Sequence, residues 1–264
     1  MKRWTSSVPC LRQDFTSFES SRVFCARGLR GSACCSMVTA MPQLRAVIFD
    51  FDGLIVDTES TGYQTWREIF ESHGLDLAVE TYAAVIGTDF GAHYDPRVDL
   101  EERTGRTFDW ADLEAQRTVR EKELRKDLSI LPGVVQRLEE AAALGLPCAI
   151  ASSSPRWWVE GWLNDLGLME HFHHLTTVDD TGKVKPDPSL FLLAAERLGV
   201  ATDEAVIFED SLNGLNAALA AGIRCVVAPG PMTRHLDFEG AWRRVDSLQE
   251  VTLNELRSNL SSTL

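Results

Sequence analysis

Apolar residues recur along this chain with two alternating periods. Short apolar runs rich in β-branched and aromatic residues occur at 45–49 (RAVIF), 146–151 (LPCAIA), 174–178, 205–208 (AVIF) and 224–228 (RCVVA), the pattern of buried strands. Between them lie stretches with helical spacing: Pro155 to Leu166, Pro188 to Leu198 and Leu212 to Ala221. Pro132-Gly133 introduces another helix, with Val134, Val135, Leu138 and Ala142 on one face. Strands separated by helices of this length predict a doubly wound parallel sheet, an α/β fold with right-handed crossovers.

The rhythm breaks once. From Glu59 to about Ser129 the pattern is helical throughout, with Tyr63, Trp66, Ile69 and Phe70 on one face and Leu113, Val119 and Leu124 among many charges further on. This predicts an all-helical insert leaving from the carboxyl end of the first strand. The expected organisation is a core of 41–58 and 131–264, a helical segment over 59–130, and a leader over 1–40. Beyond Pro231 an edge strand near Arg244-Val245 and a last helix are expected.

The leader differs in composition. Residues 1–36 carry six Lys/Arg against Asp14 and Glu19, and four of the six cysteines (Cys10, Cys25, Cys34, Cys35); without them the net charge of -13 becomes -17. They show no periodicity and no secretory apolar core. A disordered tail, an over-extended reading frame and a transit peptide all fit that description, the first two better. The acidic body argues against nucleic acid or an anionic membrane as partner. The absence of an apolar run of about 18 residues predicts no membrane span. Cys148 and Cys225 lie inside strand-like runs and read as buried apolar residues, so a reducing, cytoplasmic compartment is expected. His171, His173 and His174 lack the spacing of a zinc site, and Trp157, Trp158 and Trp162 read as a packing face.

Four polar clusters stand just after four of the strands: Asp50 and Asp52 in DFDGLIVDTE, Ser152-Ser153-Ser154, Lys185 in KPDP, and Glu209-Asp210-Ser211. Each alone also fits a polar turn or a helix cap. In a doubly wound sheet, however, ligands bind at the carboxyl ends of the strands, and all four clusters converge there. Their combined chemistry is carboxylates for a hard divalent cation, with hydroxyls, helix-start N–H groups and a lysine for an oxyanion.

In these four motifs, in this order, the sequence from about Leu44 to Pro229 resembles the haloacid dehalogenase-like hydrolase superfamily, especially its phosphatase and β-phosphoglucomutase-like branch with a helical cap. The resemblance implies Asp50 as nucleophile forming an aspartyl-phosphate, and Asp52 as general acid and base. It implies Mg2+ held by Asp50, the Asp52 carbonyl and Asp210, with Glu209 as ligand or outer partner, and phosphate held by Ser152, Ser153 and Lys185. Asp52 favours phosphate over halide chemistry, since a departing halide needs no proton. Gly62 stands where the mutases carry a histidine, which favours hydrolysis over phosphoryl return.

The expected activity is therefore hydrolysis of a small phosphorylated metabolite by a monomer or weak homo-oligomer. A sugar-phosphate mutase and a non-catalytic ligand sensor are the alternatives. The helical segment would close as a lid on hinges near Asp57-Thr58 and Leu131-Pro132-Gly133. Gly87-Thr88-Asp89 are its candidate specificity residues. Arg97 or Arg103 would be a cation for a second anionic group, although each also fits a solvated helix face.

Overall fold

The computed structural model describes residues 43–87 and 94–260. The expected leader, with Thr88 and Asp89, lies outside them. In chain order the elements are β1 (Ala46–Phe49), α1 (Thr58–Ser72), α2 (Val79–Ala83), α3 (Pro96–Thr104), α4 (Trp110–Leu124), α5 (Val134–Leu144), β2 (Cys148–Ala151), α6 (Arg156–Asp165), β3 (His174–Thr176), α7 (Val178–Thr181), α8 (Ser189–Leu198), β4 (Ala205–Glu209), α9 (Leu212–Ala221), β5 (Arg224–Val227), β6 (Arg243–Arg244) and α10 (Leu253–Leu260). The six strands form one parallel sheet in the order β3-β2-β1-β4-β5-β6. The order reverses beside β1, which makes its carboxyl end the topological switch point.

Both faces of the sheet are covered, so its strands are apolar on both sides. Val47 and Phe49 of β1 join α5, α6 and α10 in one apolar layer, while Ile48 joins α8 and α9 in the other. A third apolar cluster belongs to the helical segment: Tyr63, Trp66 and Phe70 of α1 pack with Leu77, Tyr82 and Leu100. Each such buried side chain contributes roughly 1.5–3 kcal/mol. Among the described residues, no helix is long and apolar enough to cross a membrane.

Some local expectations change. β3 ends two residues early, because Thr177 caps α7 in a reciprocal arrangement with Asp180. On α5 the buried face contains Arg137 and Ala141, not Ala142; the Arg137 guanidinium reaches the Leu248 and Val251 carbonyls. On α4, Val119 is exposed and Glu121 is the buried residue.

Candidate active site

Register sets the site. Phe49 lies opposite Ile150 and Phe208, and Ala151 lies opposite Thr176, so the residues following β1 and β2 and ending β4 form one edge. The Asp50 N–H donates to the Phe208 carbonyl at 2.9 Å, and the Ser152 N–H to the Thr176 carbonyl at 2.9 Å. The strands thus carry Asp50, Ser152, Glu209 and Asp210 to the switch point. All four are buried.

Lys185 reaches this edge from the loop before α8. Its ammonium, 1% exposed, donates to Asp50 and, at 2.6 Å, to Glu209 Oε1. Burial raises the Asp50 carboxyl most, Lys185 pulls it down, and Glu209 and Asp52 push it up again, to about 8 in all. Burial alone would depress the lysine, yet Asp50 and Glu209 outweigh it and hold the ammonium charged. Burial next to Glu209 and Asp50 also drives the Asp210 carboxyl well above its ordinary range.

Two of these three carboxylates, Asp50 and Glu209, share the one lysine. Oxygens of Asp50, Glu209 and Asp210 lie within 4.8 Å of one another, close enough to hold a metal ion. The fit to a divalent cation is better for two of them than for the third. Asp210 Oδ1 is buried without a hydrogen-bond partner among the described residues. Glu209, by contrast, is fully engaged: Oε1 accepts from Lys185, and Oε2 accepts from the N–H groups of Asp210 at 2.8 Å and Ser211 at 2.9 Å. Gly53 turns the chain over Asp210 at φ +81°, and a Cβ there would lie 2.2 Å from Asp210 Oδ2.

Asp52 faces the other way. Its Oδ1 accepts from Thr58 Oγ1 at 2.7 Å and from the Trp158 indole N–H at 2.9 Å, and its Oδ2 accepts from Ser154 Oγ at 2.6 Å. Ser152 Oγ is a longer contact, 3.4 Å from Oδ2. Trp158 was expected only to pack; it does pack against the core, but its polar edge serves Asp52. Ser153 turns away from this carboxylate. Its hydroxyl donates to the Gly87 carbonyl at 2.8 Å and accepts the Lys185 N–H at 3.1 Å, joining the helical segment to the lysine loop.

Beside Asp52 opens a cavity of about 260 Å³ whose lining includes Glu59, Gly62, Tyr82, Arg117, Glu121 and Arg125. Burial and the Asp52 and Asp50 charges push the Glu59 carboxyl up to about 8. Arg97 and Arg103 do not line this cavity; they pair locally with Asp95 and Asp99. Arg117 and Arg125 stand there instead, both bonded to Glu121, with Arg125 stacked 4.1 Å over the Trp158 ring.

A parallel α/β sheet whose switch point gathers an acid cluster, a buried lysine and helix-start hydroxyls has the make-up of a hydrolase. The family model described as haloacid dehalogenase-like hydrolase matches residues 47–228, and the chain belongs to that family. Among curated proteins it is 42% identical over 220 residues to "Putative phosphatase YhcW" of Bacillus subtilis, covering 83% of this chain and 99% of that one. It is 31% identical over 190 residues to the phosphorylated carbohydrates phosphatase of Thermotoga maritima, covering 68% and 82%. The crystal structure of CbbY from Rhodobacter sphaeroides in complex with phosphate aligns with a TM-score of 0.64 at 31% identity, covering 81% of this chain and 99% of CbbY.

Proposed function

We propose that this chain is a Mg2+-dependent phosphatase that hydrolyses a small phosphorylated metabolite through an aspartyl-phosphate on Asp50. The observation that carries the reading is the pairing of the buried Asp50 with Lys185, beside the unpartnered Asp210 Oδ1. An anionic nucleophile repels an anionic phosphate, and a lysine with a divalent cation offsets that repulsion. The phosphatase names of the two curated relatives point the same way.

Asp50 and Asp210, with the Asp52 backbone carbonyl, would hold Mg2+, and Glu209 would orient Lys185 rather than ligate. When bound, the cation supplies charge neutralisation between Asp50 and the phosphoryl oxygens. Asp50 Oδ attacks phosphorus, the bond to the ester oxygen breaks, and Asp52 gives that oxygen its proton. Water then attacks the aspartyl-phosphate, Asp52 takes the water proton, and inorganic phosphate leaves with Asp50 regenerated. Lys185 and the Ser152 region at the start of α6 would hold the phosphoryl oxygens, with Ser153 fixing the Lys185 loop. The helical segment, 59–130, acts as a cap that keeps bulk water from the anhydride-like intermediate.

Gly62 lines the cavity without a side chain, so nothing at that position returns the phosphoryl group to a second hydroxyl. Hydrolysis is favoured over mutation for that reason. The test is phosphate release from a panel of phosphometabolites with Mg2+, wild type beside Asp50→Asn. Wild-type release with a loss of at least about 10³-fold in the variant is expected, the size of effect that follows removal of a nucleophile. No release from any ester, with Asp50→Asn indistinguishable from wild type, would move the chain to the non-catalytic sensor class.

A further inference from the structure

The wall formed by Trp158 and Arg125 has an outer side. There a second cavity of about 500 Å³ is lined by Lys122, Arg125 and Lys126 at the end of α4, and by Trp157, Trp158 and Trp162 on α6. The three indoles meet edge to face, at centroid separations of 5.9 Å for both successive pairs. Trp158 and Trp162 pack against the apolar core, but Trp157 is 70% exposed. An indole left this far in water adds little to the fold.

Of the cations beside it, Arg125 is bonded to Glu121 and stacked on Trp158, but the two lysines are unengaged. Arginines 117 and 120 of α4 are paired with carboxylates. Lys122 and Lys126 are exposed and have no ion-pair partner among the described residues. Asp165 is the one acid of the lining. On a chain of net charge -13, unpaired lysines flanking an exposed aromatic surface run against the general field. The volume falls within the range of small-molecule sites.

We propose that this groove is a second ligand site, for a small planar aromatic anion of the nucleoside monophosphate class. The base stacks on Trp157 and the phosphate lies between Lys122 and Lys126. Such a ligand touches α4 and α6 together, and so ties the helical segment to the sheet layer. It also sits against the Arg125 and Trp158 pair whose indole N–H is bonded to Asp52.

Calorimetric titration of the full chain with AMP decides the matter, with EDTA present so that no ester is turned over. A saturable isotherm is expected, with adenosine and inorganic phosphate each weaker by at least about tenfold. Trp157→Ala and the double variant K122E/K126E should each cut AMP affinity by about tenfold or more, while nucleotide-free phosphate release stays within about twofold of wild type. The proposal falls if AMP gives no saturable heat at millimolar concentration or if Trp157→Ala binds as wild type does. It also falls if K122E/K126E binds AMP as wild type does, which would put the nucleotide in the Asp50 crevice, or if oligo(dA) binds much more tightly than AMP. Because the isotherm needs no turnover, it stands or falls apart from the phosphatase reading.

Discussion

Trp158 is the residue whose role depends most on the folded chain. Its ring packs in the core, its face carries Arg125, and its N–H bonds an acid 106 positions earlier in the sequence. Trp158→Phe keeps the ring and deletes only the donor. A single hydrogen bond to a charged group is worth about 1.5–3 kcal/mol, so kcat should fall roughly 10-fold or more, with KM little changed. A Phe variant with wild-type kcat would reduce Trp158 to packing alone. Asp50, Glu209 and Asp210 were readable from sequence because each ends a strand or stands one residue past it, where local pattern fixes position; Asp52 and Lys185 stand three to four residues from such an end and were readable through the motifs around them. The bonds of Trp158, Ser154 and Thr58 to Asp52 were not, because an indole edge or a hydroxyl finds Asp52 only once α6 and α1 have taken their orientations on the sheet.

At the scale of elements, the short helix α7 is held by charge as well as by its cap. Asp180 accepts from Arg156 Nη2 at 2.7 Å and from Arg197 Nη2 at 2.8 Å, and so links α6, α7 and α8. Burial raises the Asp180 carboxyl, but the Arg197 hydrogen bond, the Thr177 N–H and the two guanidinium charges outweigh it and bring it to about 2. A folded value below the unfolded one means that the stabilisation is present in full above about 4 and is lost as pH falls through about 2. A fall from 3.8 to about 2 corresponds to at most about 2.4 kcal/mol, and partial exposure reduces this to about 1–2 kcal/mol. Asp180→Asn should therefore lower the unfolding free energy by about that amount at pH 7 and leave the two proteins alike near pH 2 if both still fold, as denaturant titrations at the two pH values would show. A pH-independent difference would assign the loss to the cap geometry instead. Periodicity alone placed Val178 in β3, because an apolar residue after a strand looks like more strand. The cap formed by Thr177 with Asp180 is the competing local force that ends it.

In the whole molecule, few side-chain hydrogen bonds among the described residues join the helical segment to the sheet layer. The chain passes into it at Asp57-Thr58 and out beyond Leu128, while the loop at 84–87 is held down by Asn213 Nδ2 on the Ile86 carbonyl at 2.8 Å and by Ser153 Oγ on the Gly87 carbonyl. Gly87 is part of this close approach: at φ +82°, a Cβ would fall 2.6 Å from Ser211 Oγ. The sequence singled out Gly87 as a specificity candidate, but the contact that seats it joins residues more than sixty apart and leaves no local pattern. Asn213→Ala tests this latch more cleanly than Ser153→Ala, because Ser153 also receives the Lys185 N–H and its loss would disturb the lysine loop. One side-chain bond to a backbone carbonyl is worth about 1 kcal/mol, which is about fivefold in a local opening equilibrium. Amide exchange over 84–87 should quicken by about that factor in Asn213→Ala while strands β1 and β4 exchange as before. If the loop covers a bound ester, KM should rise with it while kcat changes less, since Asn213 touches none of the reacting groups. Unchanged exchange at 84–87 would mean that apolar contacts such as those of Ile86, and not the Asn213 bond, hold the helical segment over the Asp50 crevice.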